Sequence, residues 1–162
     1  FITKSFVSKF LSCSLLAIST FRAASFASYS TFASASLAAK AADPTRQVIC
    51  FAGDGDFQMA SQELGTMLQY GLQPIILLLN NGLYGTIRLH QDKRYAGRPS
   101  GTEIINPDFV QLAQAYGFWG ARVEKTEDFA DAFDTATTKP NGALIELVID
   151  PADIAPNIIL QD

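Results

Sequence analysis

Residues 47–85 read QVICFAGDGDFQMASQELGTMLQYGLQPIILLLNNGLYG, and their pattern decides the fold. Gln47 to Ala52 and Pro74 to Leu79 are short apolar runs bounded by turn residues, the pattern of strands buried on both faces of a parallel sheet. Between them Phe57, Ala60, Leu64, Met67 and Leu68 recur at helical spacing. Strand, helix and strand make a βαβ unit, whose two strands are parallel and adjacent. Asp54 and Asn81, 27 positions apart, each follow a strand directly and so emerge at the same sheet edge.

Open α/β sheets bind ligands outside the carboxyl ends of their strands. Here that edge offers a carboxylate, a side-chain amide and a helix start. Mg²⁺ takes one or two carboxylates and completes its octahedron with amide or carbonyl oxygens, water and ligand phosphates, a set that Asp54 and Asn81 begin. Gly53 and Gly55 allow close backbone approach, and the N–H groups at Asp56 to Gln58 favour an anion. Gly-Asp-Gly alone is a common strand-to-helix turn and Asn-Gly alone a hairpin signal. Their combination across one βαβ unit points to a Mg²⁺-diphosphate site.

GDGDFQMASQEL followed by LLLNNGLYGTIR resembles the cofactor-anchoring motif of thiamine-diphosphate-dependent 2-oxo acid decarboxylases and acetolactate synthases. The resemblance runs from about Ala38 to the end of the chain. It implies the thiamine diphosphate-binding fold and the cofactors thiamine diphosphate and Mg²⁺. Asp54, the Asn81 side chain and the main-chain carbonyl of Leu83 would be the metal ligands. Gly53, Gly55, Asp56, Phe57, Tyr84, Gly85 and Thr86 would complete the cofactor-binding set, with Gly55, Asp56 and Phe57 facing the diphosphate. Where the pyruvate decarboxylase branch carries an acidic residue this chain has Ile87, a departure toward the synthase or carboligase branch.

The resemblance also implies what this stretch lacks. The Glu that activates the cofactor's aminopyrimidine belongs to a separate pyrimidine-binding domain, in the same longer polypeptide or a partner chain. Glu63, on the helix after the diphosphate turn, is read as structural. No catalytic residue is therefore assigned, the chain alone is expected to be inactive, and the full enzyme is expected to be a homo-oligomer acting on a 2-oxo acid.

Composition sets the frame. With 162 residues, 48% of them apolar, the chain can bury one core. A net charge of −4 argues against nucleic acid as a partner. Cys13 and Cys50, with no CxxC and His90 as the sole histidine, predict neither a disulfide framework nor a zinc site. Residues 1–42 differ from the rest: rich in Ser and Ala, free of Asp, Glu, Gly and Pro, and basic at Lys4, Lys9, Arg22 and Lys40. They are read as an atypical leader, transit-like or frame-disrupted, with disorder as a further option. Related enzymes carry a Gly- and Met-containing segment where this chain has Ser25 to Ser36, so the fold is expected to be partial on its N-terminal side. Localisation is cytoplasmic by resemblance, or organellar if the leader is a transit peptide. No apolar run approaches the ~20 residues of a membrane span.

Residues 43–162 are assigned to the thiamine diphosphate-binding domain, a three-layer α/β domain with a parallel sheet and helices on both faces. Within it, Arg88 to Ile105 reads as a long polar loop whose Arg88, Lys93, Arg94 and Arg98 would attract an anionic substrate or simply face solvent. His90 is a polar loop residue or a proton carrier. Asn106-Pro107 reads as the N-cap and first residue of a helix with Phe109, Leu112, Ala113 and Tyr116 inward. Phe118 to Val123 is a strand whose Trp119 packs at a boundary. A helix from Thr126 buries Phe129, Ala132, Phe133 and Ala136. Ala143 to Ile149 is a last buried strand, in which Glu146 needs a partner, and the tail from Pro151 is irregular. Two other readings stand beside the first: a non-catalytic remnant that folds without cofactor, and a receiver-type module phosphorylated on Asp54.

Overall fold

The computed structural model describes residues 32–155 and 158–159. Four strands form a parallel sheet: β1 (Ile49–Gly53), β2 (Ile75–Asn80), β3 (Trp119–Val123) and β4 (Ala143–Val148), in the order β1-β2-β4-β3. Ile49 pairs with Ile75 and Ile75 with Ala143, so the strands run in step and their carboxyl ends share one edge.

Side chains alternate across the sheet. On one face Cys50, Ala52, Ile76, Leu78 and Leu144 pack under four helices, α1 (Phe32–Ala42), α2 (Asp54–Gln58), α3 (Glu63–Gln69) and α5 (Phe109–Ala115). Phe57, Leu64, Met67, Phe109 and Ala113 supply the helical side of that core. On the other face Ile75, Leu77, Val123, Ala143, Ile145 and Leu147 meet Phe129 and Ala136 of α6 (Phe129–Thr137), which a 3₁₀ turn at Thr126–Asp128 introduces. Helices on both faces give the three layers. Burying each large apolar side chain stabilises the fold by about 1.5–3 kcal/mol.

Several expectations need correction. The helix inside the βαβ unit is two short helices, α2 and α3, separated by a turn at residues 59–62, and Leu68 is exposed. β1 buries only alternate residues, because α6 covers the β4 side of the second face and leaves Ile49 and Phe51 half-buried. Arg88 to Ile105 is not one loop: α4 (Gly85–Arg94) takes up its first part. The tail forms a short antiparallel pair, β5 (Asp153–Ala155) with β6 (Ile158–Ile159). The last eleven residues of the stretch read as a leader form α1. It packs Ala33 and Leu37 into the core, while buried Lys40 donates to the carbonyls of Pro44 and Arg46 at 2.9 and 2.6 Å. The remainder of that leader, residues 1–31 with Cys13, lies outside the described residues.

Other expectations hold. Gly117, at φ 81°, ends α5, and Gly142, at φ 86°, turns the chain into β4. Independently of any boundary, Trp119 packs half-buried against the core on the α6 face, with Lys139 Nζ 5.6 Å from its ring centre. Glu146, 2% exposed, accepts from Asn80 Nδ2 at 2.6 Å and from Arg122 Nη1 at 3.3 Å.

Candidate functional site

The carboxyl ends of β1 and β2 open into a cleft of about 550 Å³. Asp54 stands at its floor as the first residue of α2, 3% exposed. Its Oδ1 accepts from the Gly55 N–H at 3.0 Å, and its Oδ2 accepts from the Gly82 N–H at 2.9 Å. Two strand ends far apart in sequence are thus tied through one carboxylate. Asn81 lines the cleft beside it, its Oδ1 accepting from the Leu83 N–H at 3.1 Å in a tight local turn.

Leu83 is held by a strap from the following loop. Tyr84 N–H donates to the Thr102 carbonyl at 2.8 Å and Ile104 N–H to the Gly82 carbonyl at 2.9 Å, which sets Leu83 opposite Glu103 in an antiparallel bridge. Both rungs use the neighbours of Leu83, so its own carbonyl takes no part in them.

Of the ten residues expected to form the site, nine line this cleft: Gly53, Asp54, Gly55, Asp56, Asn81, Leu83, Tyr84, Gly85 and Thr86. Phe57 does not. Its ring is 1% exposed, edge-on to Phe109 at 5.8 Å between centroids, because the inward face of α2 belongs to the core. Met59, Leu79, Ile87, His90 and Ile149 also line the cleft. His90 therefore belongs to its wall, on α4 rather than a loop. Arg88 does not line it and is paired with Asp92 at 3.1 Å, while Lys93, Arg94 and Arg98 are exposed away from it.

Electrostatics and shape suit a metal-bound anion. Asp54 and Asp56 both face the cleft, and burial, followed by the neighbouring Asp54 charge, raises the Asp56 carboxyl above its usual range. Among the described residues no Lys or Arg lines the cleft. The N-terminus of α4 enters the cleft at Gly85 and Thr86 without a side-chain cap, leaving backbone N–H groups for a ligand. Gly55 is a cradle: a methyl group there would lie 2.7 Å from Tyr84 Cε1 and 3.1 Å from Ile104 Cδ1. A carboxylate, an amide and a carbonyl form an all-oxygen donor set, which fits Mg²⁺. Among the described residues no group of three His, Cys, Asp or Glu forms a metal cluster, so the acidic cluster of a receiver is not found there.

Residues 17–147 match the family described as thiamine pyrophosphate enzyme, C-terminal TPP binding domain. The chain belongs to this family. The acetolactate synthase large subunit of Cyanidium caldarium is 38% identical over 113 residues, 68% of this chain and 19% of that protein. That of Haemophilus influenzae is 38% identical over 103 residues, 63% of this chain and 18% of the relative. Among solved structures, a Rhodococcus jostii RHA1 thiamine diphosphate-dependent 4-hydroxybenzoylformate decarboxylase superposes with a TM-score of 0.70 at 35% identity. That superposition covers 75% of this chain and 23% of the other. The chain thus spans about a fifth of the length of these relatives, which carry this domain within larger enzymes.

Sequence reasoning missed Asn106. It was expected to cap a helix, but that role falls to Asp108, whose Oδ1 accepts from the Gln111 N–H at 2.8 Å; this bond holds the Asp108 carboxyl below its usual range. Asn106 turns instead toward the cleft floor, donating to Asp54 Oδ2 at 2.7 Å and to Asn80 Oδ1 at 2.8 Å. A second cap candidate two residues later was the one available signal.

Proposed function

We propose that this chain binds thiamine diphosphate through Mg²⁺, as the diphosphate-binding domain of an acetolactate synthase-like 2-oxo acid lyase or carboligase. The carrying observation is the charge of the cleft. Two carboxylates face a site that would have to accept a diphosphate, and among the described residues no lysine or arginine lines it. Two sets of negative charge can share so small a volume only with a cation between them. Asp54, the Asn81 amide oxygen and the Leu83 carbonyl would hold that cation. Gly53, Gly55, Asp56 and the backbone of Phe57 from one side, and Tyr84, Gly85 and Thr86 from the other, would flank the diphosphate.

Bound thiamine diphosphate supplies the carbanion chemistry by which a 2-oxo acid loses CO₂ and is then protonated or joined to a second carbonyl compound. The chain's own residues bind the cofactor's diphosphate and orient the cofactor. A pyrimidine-binding domain, in the same polypeptide or a partner, would complete the site. In support, the cleft's apolar wall is left open to solvent at Met59, Tyr84 and Ile87. Activity in this reading needs that second domain, and the apolar Ile87 in the cleft wall favours the synthase or carboligase branch.

The test is thermal unfolding of the chain with Mg²⁺ and thiamine diphosphate, separately and together, beside Asp54→Ala. A ligand that binds only the folded state raises the midpoint by mass action. Stabilisation that needs both ligands and vanishes in Asp54→Ala is the expected result. No shift in the wild-type chain refutes cofactor binding and leaves the non-catalytic remnant.

A further inference from the structure

The polar groups behind Asp54 form one continuous chain that the proposed site does not use. Arg122 Nη1 donates to Glu146 Oε1, and Asn80 Nδ2 donates to the same oxygen at 2.6 Å. With its Nδ2 committed there, Asn80 presents Oδ1 to the cleft floor, where it accepts from the Gly82 N–H at 3.1 Å and from Asn106 Nδ2 at 2.8 Å. Asn106 Nδ2 also reaches Asp54 Oδ2, and Asn106 Oδ1 accepts from Gln58 Nε2 at 2.7 Å. Flipping the Asn106 amide would set its oxygen against a carboxylate and its nitrogen against another donor, so its neighbours fix its orientation.

We propose that Asn106 is a positioning residue that aims the Asp54 carboxylate at the divalent cation. This rests on the reading of the cleft as a Mg²⁺ site. An ionised carboxylate offers about four acceptor directions. Gly82 N–H and Asn106 Nδ2 occupy both of those on Oδ2, and Gly55 N–H takes one on Oδ1. One direction, on Oδ1, remains for the metal. Asp54 is thereby set as a single-oxygen ligand, and without Asn106 the carboxylate is free to turn Oδ2 toward the cation or toward water.

Asn106 can serve because the loop that carries it is anchored. Gln91 exchanges two hydrogen bonds with the Ser100 backbone, the strap at Thr102 and Ile104 pairs with Gly82 and Tyr84, and buried Phe109 fixes the far end. Partners that orient a metal ligand cost roughly 10–100-fold in metal affinity when removed.

Two readouts on the full chain test this. In the metal-free protein, the amide resonances of Gly55 and Gly82, both bonded to Asp54, should move in Asn106→Ala. With saturating thiamine diphosphate, Mn²⁺ affinity, read from the free-ion electron paramagnetic resonance signal, should fall by roughly 10–100-fold. Leu72→Ala, which opens the core at the opposite sheet edge, should leave Mn²⁺ affinity within about twofold and so controls for lost stability. Should Asn106→Ala fail to fold, Asn106→Ser keeps a polar group too short to reach Asp54 and carries the same expectation. Wild-type Mn²⁺ affinity in a folded Asn106 variant overturns the inference alone. A wild-type chain that binds no Mn²⁺ overturns the site reading and the inference together.

Discussion

Gly55→Ala should separate binding from folding. The added methyl would stand 2.7 Å from Tyr84 Cε1 and 3.1 Å from Ile104 Cδ1, both near the ends of side chains rather than backbone. Tyr84 is 36% exposed on the cleft wall and can swing aside. Gly55 is in α2 and does not have a positive φ, so alanine there gains about 0.5–1 kcal/mol of backbone entropy. Displacing Tyr84 from its rotamer costs about 0.5–1.5 kcal/mol. The two nearly cancel, and the ligand-free midpoint should stay within about 3 °C of wild type. Binding should not survive so well, since the methyl and the displaced Tyr84 both intrude where the diphosphate would approach the backbone. At a cofactor concentration about 100 times the dissociation constant, wild type gains about 2.7 kcal/mol. A hundredfold weaker variant gains about 0.4 kcal/mol at that concentration. Differential scanning fluorimetry with Mg²⁺ and thiamine diphosphate reads both quantities. A full wild-type shift in Gly55→Ala would refute the close approach, and a ligand-free collapse would refute the mobility of Tyr84.

Two further predictions concern the frame around the site. Gly142→Ala forces an alanine to φ 86° with its methyl 2.8 Å from the Pro74 carbonyl, the acceptor for Ala143 N–H. Gly71 has φ 63° with no described residue beyond its chain neighbours within 4 Å of an added methyl, so Gly71→Ala should cost about 1–2 kcal/mol and Gly142→Ala at least about 1 kcal/mol more by urea titration. Equal losses would show that the Pro74 contact yields freely. Burial pushes the Cys50 thiol up to about 11, with the Ser36 hydroxyl pulling weakly the other way. The folded state thus holds this proton more tightly than the unfolded chain. The associated stability is present below about pH 9 and is lost as pH rises through about 11, amounting to roughly 2–3 kcal/mol. Cys50→Ala should flatten that alkaline slope, and an unchanged slope would assign it to other groups.

The local pattern of residues 47–85 was enough to determine the βαβ unit and the meeting of Asp54 and Asn81. Strand ends in parallel register must share an edge, and the two apolar runs mark where those ends fall. Phe129 and Ala136 were legible for the same reason, since a helix that buries one face writes that face into its sequence. By contrast α4 buries none of its residues, so no apolar period betrayed the helix, although Gly85 and Thr86 at its start were expected at the site. Phe57 looked like a site residue by its neighbours in sequence, yet a helix turns successive side chains by about 100°, sending this one to the core. Asn106 lies 52 positions from Asp54, and a backbone strap rather than any local preference brings them to 2.7 Å. Sequence alone determined that Asp54 and Asn81 reach the sheet edge, because period and turn chemistry are local. Only the tertiary structure decided how the Asp54 carboxylate is held there, because its partners come from separate turns and a distant loop.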